Sequence, residues 1–223
     1  MSDAFLTIVK EHFEPRGFKI SKVKGTKHWN VLHLYDPSED KTYIAKGIMH
    51  IEGDEQLSPK KMDTAFRNEI SVLSSLPNWW GFYLNDYFKE DAFRILVTPE
   101  IKNCKWSQYE GNDKEIAKSL YGQIEWLHRR NIAHNDLELK NILLTCDNTN
   151  AIIIDFEKSI VKASDAEMRN DYKQVLASLQ ETEQTKGIAK HLKKLSLGKA
   201  PLTRRITLGG KQKKKTAKRR RSM

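Results

Sequence analysis

The residues best suited to chemistry in this chain lie in one short stretch. His134-Asn135-Asp136-Leu137-Glu138-Leu139-Lys140-Asn141 spells H-x-D-x-x-x-x-N, and 14 residues beyond Asn141 an apolar run, IIIDF, delivers Asp155. Phosphoryl transfer asks for a carboxylate that can orient a hydroxyl and take its proton, and for oxygen donors that hold a divalent cation against phosphates. Asp136 fits the first need, and Asn141 with Asp155 fits the second. Taken singly, Asp136 and Asn141 would be turn residues whose side chains bond to nearby backbone. The register of the whole set is what points to a reaction.

Elements predicted around these residues would bring them to one edge. Apolar positions Ile116, Leu120, Ile124 and Leu127 predict an amphipathic helix over 113–130 that leads into the loop. NILLT and AIIIDF on either side of a Cys-Asp-Asn-Thr-Asn turn predict a hairpin that carries Asn141 and Asp155. Upstream, alternation between Phe18 and Lys46 predicts short strands, and the spacing of Ala65, Phe66, Ile70, Leu73 and Leu76 predicts a helix over 62–76 that stops before Pro77. Two strands, 82–87 and 92–98, follow, and helices over 166–181 and 188–197 finish the body.

The run IEWLHRRNIAHNDLELKNILL followed by AIIIDFE resembles the catalytic loop and magnesium motif of the protein kinase superfamily. The resemblance implies an α+β, two-lobed protein-kinase-like fold. A small antiparallel sheet with a helix would form an N-lobe over 1–97, and a truncated, mainly helical C-lobe with the catalytic loop would span 98–197. It implies Asp136 as base, Asn141 and Asp155 as magnesium ligands, His134 and Phe156 as packing residues, and Leu143 beneath an adenine. Lys46, in Tyr-Ile-Ala-Lys, and Glu69 are the matching phosphate lysine and its partner glutamate, with Gly25 and Val31 on the nucleotide side. ATP and Mg²⁺ are the cofactors it implies. Thr98 or Pro99 would mark the passage between lobes, with Glu100 and Ile101 facing the adenine edge.

The chain departs from the superfamily pattern at several points. Gly25 is the single glycine where a glycine-rich loop would be, so Lys22, Lys24 or Lys27 would have to supply charge. Asn135 stands where many members have arginine, Glu138 where lysine is usual, and Glu157 where glycine follows the magnesium motif. Lys140 is the expected compensation for Glu138. Glycine's absence at 157 argues against a backbone flip there, and arginine's absence argues against activation by phosphorylation. About 14 residues separate Glu157 from Asp171, the expected opener of the next large helix, and no Ala-Pro-Glu follows. In brevity, in that short segment and in the ending Arg-Arg-Arg-Ser-Met, the chain has some similarity to the small kinase of the tRNA threonylcarbamoylation complex.

Charge divides the chain. Its 39 basic and 29 acidic residues give +10, but 11 of the basic residues and none of the acidic lie from Lys199 onward. The body is thus near neutral, which argues against a broad nucleic-acid face. The segment 198–223 is predicted to be a disordered basic tail that binds an import receptor or a phosphate backbone, with Thr216 and Ser222 open to phosphorylation. Cys104 and Cys146, the two cysteines, have no metal-ligand spacing and predict neither a disulfide framework nor a zinc site, hence a reducing compartment. No secretory signal or run of about 18 apolar residues occurs. An intracellular protein, nuclear or cytoplasmic, is expected.

The reading that follows is an ATP-dependent phosphotransferase, a serine/threonine protein kinase. The alternatives are a small-molecule kinase of the aminoglycoside or choline type, suggested by Glu138, Glu157 and the reduced peptide platform, and a nucleotide-binding ATPase or pseudokinase subunit acting within a complex.

Overall fold

The computed structural model describes residues 3–22, 29–49, 59–81, 84–90, 93–147 and 149–198. Gly25, Lys24, Lys27 and the tail from Lys199 lie outside these residues, as does Phe82 at the start of the expected strand 82–87. The architecture is α+β. Five antiparallel strands, β1 (Lys19–Lys22), β2 (Trp29–Asp36), β3 (Lys41–Met49), β4 (Asp86–Glu90) and β5 (Phe93–Pro99), form a sheet in the order β1-β2-β3-β5-β4.

One face of this sheet is covered by a helix absent from the sequence-based expectation, α1 (Asp3–Phe13). Phe5, Val9 and Phe13 recur every fourth residue, so they share one face of the helix. All three are buried against Leu32, Leu34, Ala45, Ile95 and Val97. The helix stops where Pro15 and then Gly17, at φ 90°, turn the chain towards β1. Gly47 permits the close approach: an added Cβ there would overlap the Phe5 ring.

The other face meets α2 (Pro59–Leu73), which carries Glu69. Buried Arg94 of β5 holds Asp63 of α2 through Nε at 2.5 Å, tying helix to sheet. Beyond β5 the chain is mainly helical: α3 (Asp113–His128), α4 (Asp165–Gln180) and α5 (Lys186–Leu197). Asn112 caps α3 by accepting from the Lys114 and Glu115 amides, and Ser164 with Glu167 forms a capping box at α4. The apolar faces of α3, α4 and α5 share one buried cluster with Phe66 and Leu73 of α2 and with Phe156. Small strands complete the fold. β6 (Asn103–Cys104) pairs with β8 (Ile142–Thr145), β8 with β9 (Ala151–Ile153), and β7 (Ile132–Ala133) with β10 (Ile160–Val161).

Two expectations are corrected here. Asp171 does not open a large helix; it lies in the middle of α4, which Ser164 caps. Cys104 and Cys146 form a disulfide, with Cα atoms 4.9 Å apart. Their separation of 42 residues gives no local spacing signal, whereas the β6–β8 register, with Cys104 opposite Leu144, sets them diagonally across the pair. The argument from unpaired cysteines to a reducing compartment therefore no longer applies. Among the described residues no helix is long and apolar enough to cross a membrane.

Candidate active site

The loop from His134 to Asn141 begins with no strand or helix of its own, so its amide donors need outside partners. One face of α4 supplies them. Fully buried Asp171 accepts the His134 amide on Oδ2 at 2.9 Å and the Asn135 amide on Oδ1 at 2.8 Å. Gln174 accepts from Leu137 at 3.1 Å, and Ser178 Oγ accepts from Leu139 at 2.8 Å. Positions 171, 174 and 178 follow the three-to-four spacing of one helical stripe. His128, at the end of α3, places Nε2 2.9 Å from the same Asp171 carboxylate.

Asp155 is fixed from the opposite side. Both backbone groups of Ile153 are held, its amide by Gln123 Oε1 at 2.9 Å and its carbonyl by Trp80 Nε1 at 3.1 Å. The Ile154 amide donates to the Asn141 carbonyl at 2.9 Å, which brings the two expected metal ligands together at the ends of adjoining strands, Asn141 just before β8 and Asp155 just after β9. The Ile154 carbonyl, 2.9 Å from His134 Nε2, can only accept, so the His134 proton sits on Nε2. Burial lowers the His134 pKa, against the pull of the Ile154 carbonyl and the nearby aspartates. Asp155 then adopts a left-handed backbone, φ 66°. The positive φ falls on Asp155, while Glu157 follows in a turn.

These constraints converge on two charge clusters. Lys46 Nζ lies 2.6 Å from Asp155 Oδ1 and 3.5 Å from Glu69 Oε1. Burial acts to lower the Lys46 pKa, but the charges of Glu69, Asp155 and Glu157 outweigh it and raise the value. Burial pushes Glu69 up, against the pull of Lys46. In the second cluster Asn141 donates from Nδ2 to the Asp136 carbonyl at 2.7 Å and to its Oδ2 at 3.0 Å. Lys158 Nζ lies 3.1 Å from the same Oδ2 and Lys140 Nζ 3.7 Å away. Partial burial would raise the Asp136 pKa, yet the Lys158 hydrogen bond and charge, with Asn141 and Lys140, hold it below the ordinary aspartate value.

Beside Lys46 a cavity of about 310 Å³ opens between sheet and helices. Its walls include His33 and Ile44 from the sheet, Thr98 to Ile101 after it, and Leu143 and Ile154 from below. Val31 lies directly opposite Lys46 in the β2–β3 register but does not line the cavity, whose sheet wall is Lys46 and, two pairs further along, His33 and Ile44. His33 Nδ1 is 3.5 Å from Glu100 Oε1.

No group of three or more His, Cys, Asp or Glu side chains among the described residues is arranged to hold a metal. Magnesium does not require one, because it commonly takes one or two protein oxygens and completes its shell with water and phosphate. The donor set fits that pattern: Asp155 offers a carboxylate, and Asn141, whose amide nitrogen is spent on Asp136, offers its carbonyl oxygen.

The profile of the lipopolysaccharide kinase (Kdo/WaaP) family matches residues 101–195, which hold all of this loop and Asp155. Over this segment the chain is similar to kinases of the protein-kinase-like superfamily. A probable cell division protein kinase of Encephalitozoon cuniculi is 34% identical to this chain over 88 residues, 38% of the chain and 33% of that relative. The chain thus spans about a third of that protein.

Of the residues singled out in sequence, Lys46, Glu69, Leu143 and Asp155 line the cavity, while Asp136 and Asn141 form the second cluster, joined to the first through the Ile154 amide on the Asn141 carbonyl. Lys140 is nearer to Glu138, at 2.8 Å, than to Asp136. Motif reading missed Lys158, His33, Gln174 and Ser178. The polar stripe at 171, 174 and 178 on an otherwise amphipathic helix was the available signal for the last two. Nothing local marks Lys158.

Proposed function

We propose that this protein transfers the γ-phosphate of ATP to a serine or threonine hydroxyl of a protein. The observation that supports the reading is the Lys46–Asp155 ion pair beside the cavity, with the Asp136–Asn141 pair linked to it through the hydrogen bond from the Ile154 amide to the Asn141 carbonyl. Lys46, steadied by Glu69, would neutralise phosphate oxygens beside the cavity. Asp136, held ionised and oriented by Asn141 and Lys158, would accept the proton of the attacking hydroxyl. Asn141 and Asp155 would hold Mg²⁺, which when bound screens the phosphate charge and aligns the leaving group. A second reading, a sugar or other small-molecule hydroxyl as acceptor, draws support from the lipopolysaccharide kinase description of the matching family.

The test is incubation of the full chain with γ-labelled ATP and Mg²⁺, with a basic protein, an acidic protein or a lipopolysaccharide core sugar, beside Asp155→Ala and Asp136→Asn. Label on a protein, lost in both variants, supports the first reading, and label on the sugar alone supports the second. Nucleotide binding with no transfer to any acceptor would leave an ATPase or binding subunit.

A further inference from the structure

One departure from the superfamily pattern, Asn135, bonds to Lys158, and another, Glu138, draws Lys140 to itself. Asn135 donates its side-chain amide to the Lys158 carbonyl at 3.3 Å, and Asn68 of α2 donates to the next carbonyl, Ser159, at 3.2 Å. The Ser159 amide closes the turn on Phe156 at 3.0 Å. The backbone of Lys158 is therefore braced between the catalytic loop and α2, and its long side chain reaches back 3.1 Å from Asp136 Oδ2. Half of that side chain is exposed, so the ammonium borders both the carboxylate and solvent. The other nearby cations are committed differently. Lys140 is drawn to Glu138 at 2.8 Å, and Lys46 to Asp155 and Glu69.

We propose that Lys158 is a further catalytic residue, the cation that receives the transferring phosphoryl group at the side of the base. The proposal rests on the phosphotransfer reading above. In the resting cleft Lys158 pairs with Asp136. When the nucleotide enters, its ammonium, which carries several donors, turns to the γ-phosphate oxygens while keeping its contact with the carboxylate. The acceptor oxygen bonds to the γ-phosphorus, the bond from that phosphorus to the β,γ-bridging oxygen breaks, and the hydroxyl proton passes to Asp136. Lys158 keeps its own proton throughout and stabilises charge on the phosphoryl oxygens.

The test uses the full chain and the variants Lys158→Met and Lys158→Arg, with thermal melting to confirm folding. Lys158→Met is expected to lower kcat by about 10-fold or more with little change in KM for ATP, while Lys158→Arg keeps most of the rate. Independently of turnover, equilibrium binding of ADP and of a non-hydrolysable ATP analogue with Mg²⁺ reads the γ-phosphate contact. The wild type should prefer the analogue, and Lys158→Met should lose that preference. A Lys158→Met protein with wild-type kcat and an unchanged preference would overturn the inference. If the wild type binds the analogue but transfers nothing, the phosphotransfer reading fails, and the binding ratio alone decides whether Lys158 faces the γ-phosphate; an unchanged ratio overturns the proposal.

Discussion

Asp171 grips His134 across 37 residues: its Oδ2 accepts the His134 amide at 2.9 Å, while Oδ1 takes the next amide, that of Asn135. A buried aspartate in the middle of α4 thereby sets the backbone that carries Asp136. An asparagine has one acceptor oxygen where the carboxylate has two, so Asp171→Asn leaves a buried donor without its partner. The expected cost is about 1–3 kcal/mol of stability, together with a fall in turnover while nucleotide affinity is kept. Denaturant melts and nucleotide titration check this. Equal stability and turnover would show that the loop holds its shape unaided.

Lys46→Met should make stability depend on pH in a particular direction. It leaves Glu69, only 2% exposed, without its cation, and the folded-state carboxyl, already raised by burial, rises further. A raised carboxyl carries no penalty below the ordinary glutamate value of roughly 4.3. The penalty grows as pH climbs from there to the raised folded value and stays constant above it. At neutral pH the loss should be about 3 kcal/mol, and Lys46→Met/Glu69→Leu should recover most of it. Melting temperatures of both variants from pH 4 to 8 settle the point, and parallel curves would refute it.

Gly47 adjoins Lys46, and the Phe5 ring occupies the space where its Cβ would be. Gly47→Ala should overpack the sheet against α1 and cost about 1–3 kcal/mol. The same substitution in a Phe5→Leu background should cost less, because the ring that clashes is gone. Additive losses in a double-mutant cycle would mean that the two residues do not meet.

The Cys104–Cys146 bridge closes a loop that contains α3 and the His134–Asn141 segment. Removing it should lower stability by about 3–4 kcal/mol on the loop-closure account. Cys104→Ser/Cys146→Ser and the wild type in reductant should then melt together, below the oxidised wild type. Identical melting of all three would exclude a stabilising bridge.

Local sequence was enough for whatever depends on neighbours along the chain. The spacing of Ile116, Leu120, Ile124 and Leu127 marked α3, the turn after Thr145 marked the β8–β9 hairpin, and H-x-D-x-x-x-x-N marked the loop, because helical period, turn chemistry and a short constrained loop are written within a few residues. Lys46 and Glu69 were legible through the superfamily resemblance, which supplies a lysine on a strand and a glutamate on the following helix, and the two do pair.

Tertiary structure decided the rest. α1 carries a four-residue apolar repeat whose meaning lies in the sheet face it covers. The cysteines meet through a strand register set by residues far from either of them. Lys158 reaches Asp136 because Asn135 and Asn68 hold its backbone from two different elements, and Gln174 and Ser178 find loop amides 37 and 39 residues away. Each of these pairs joins segments whose separation is set by packing, and no local pattern encodes a distance that only the folded core creates.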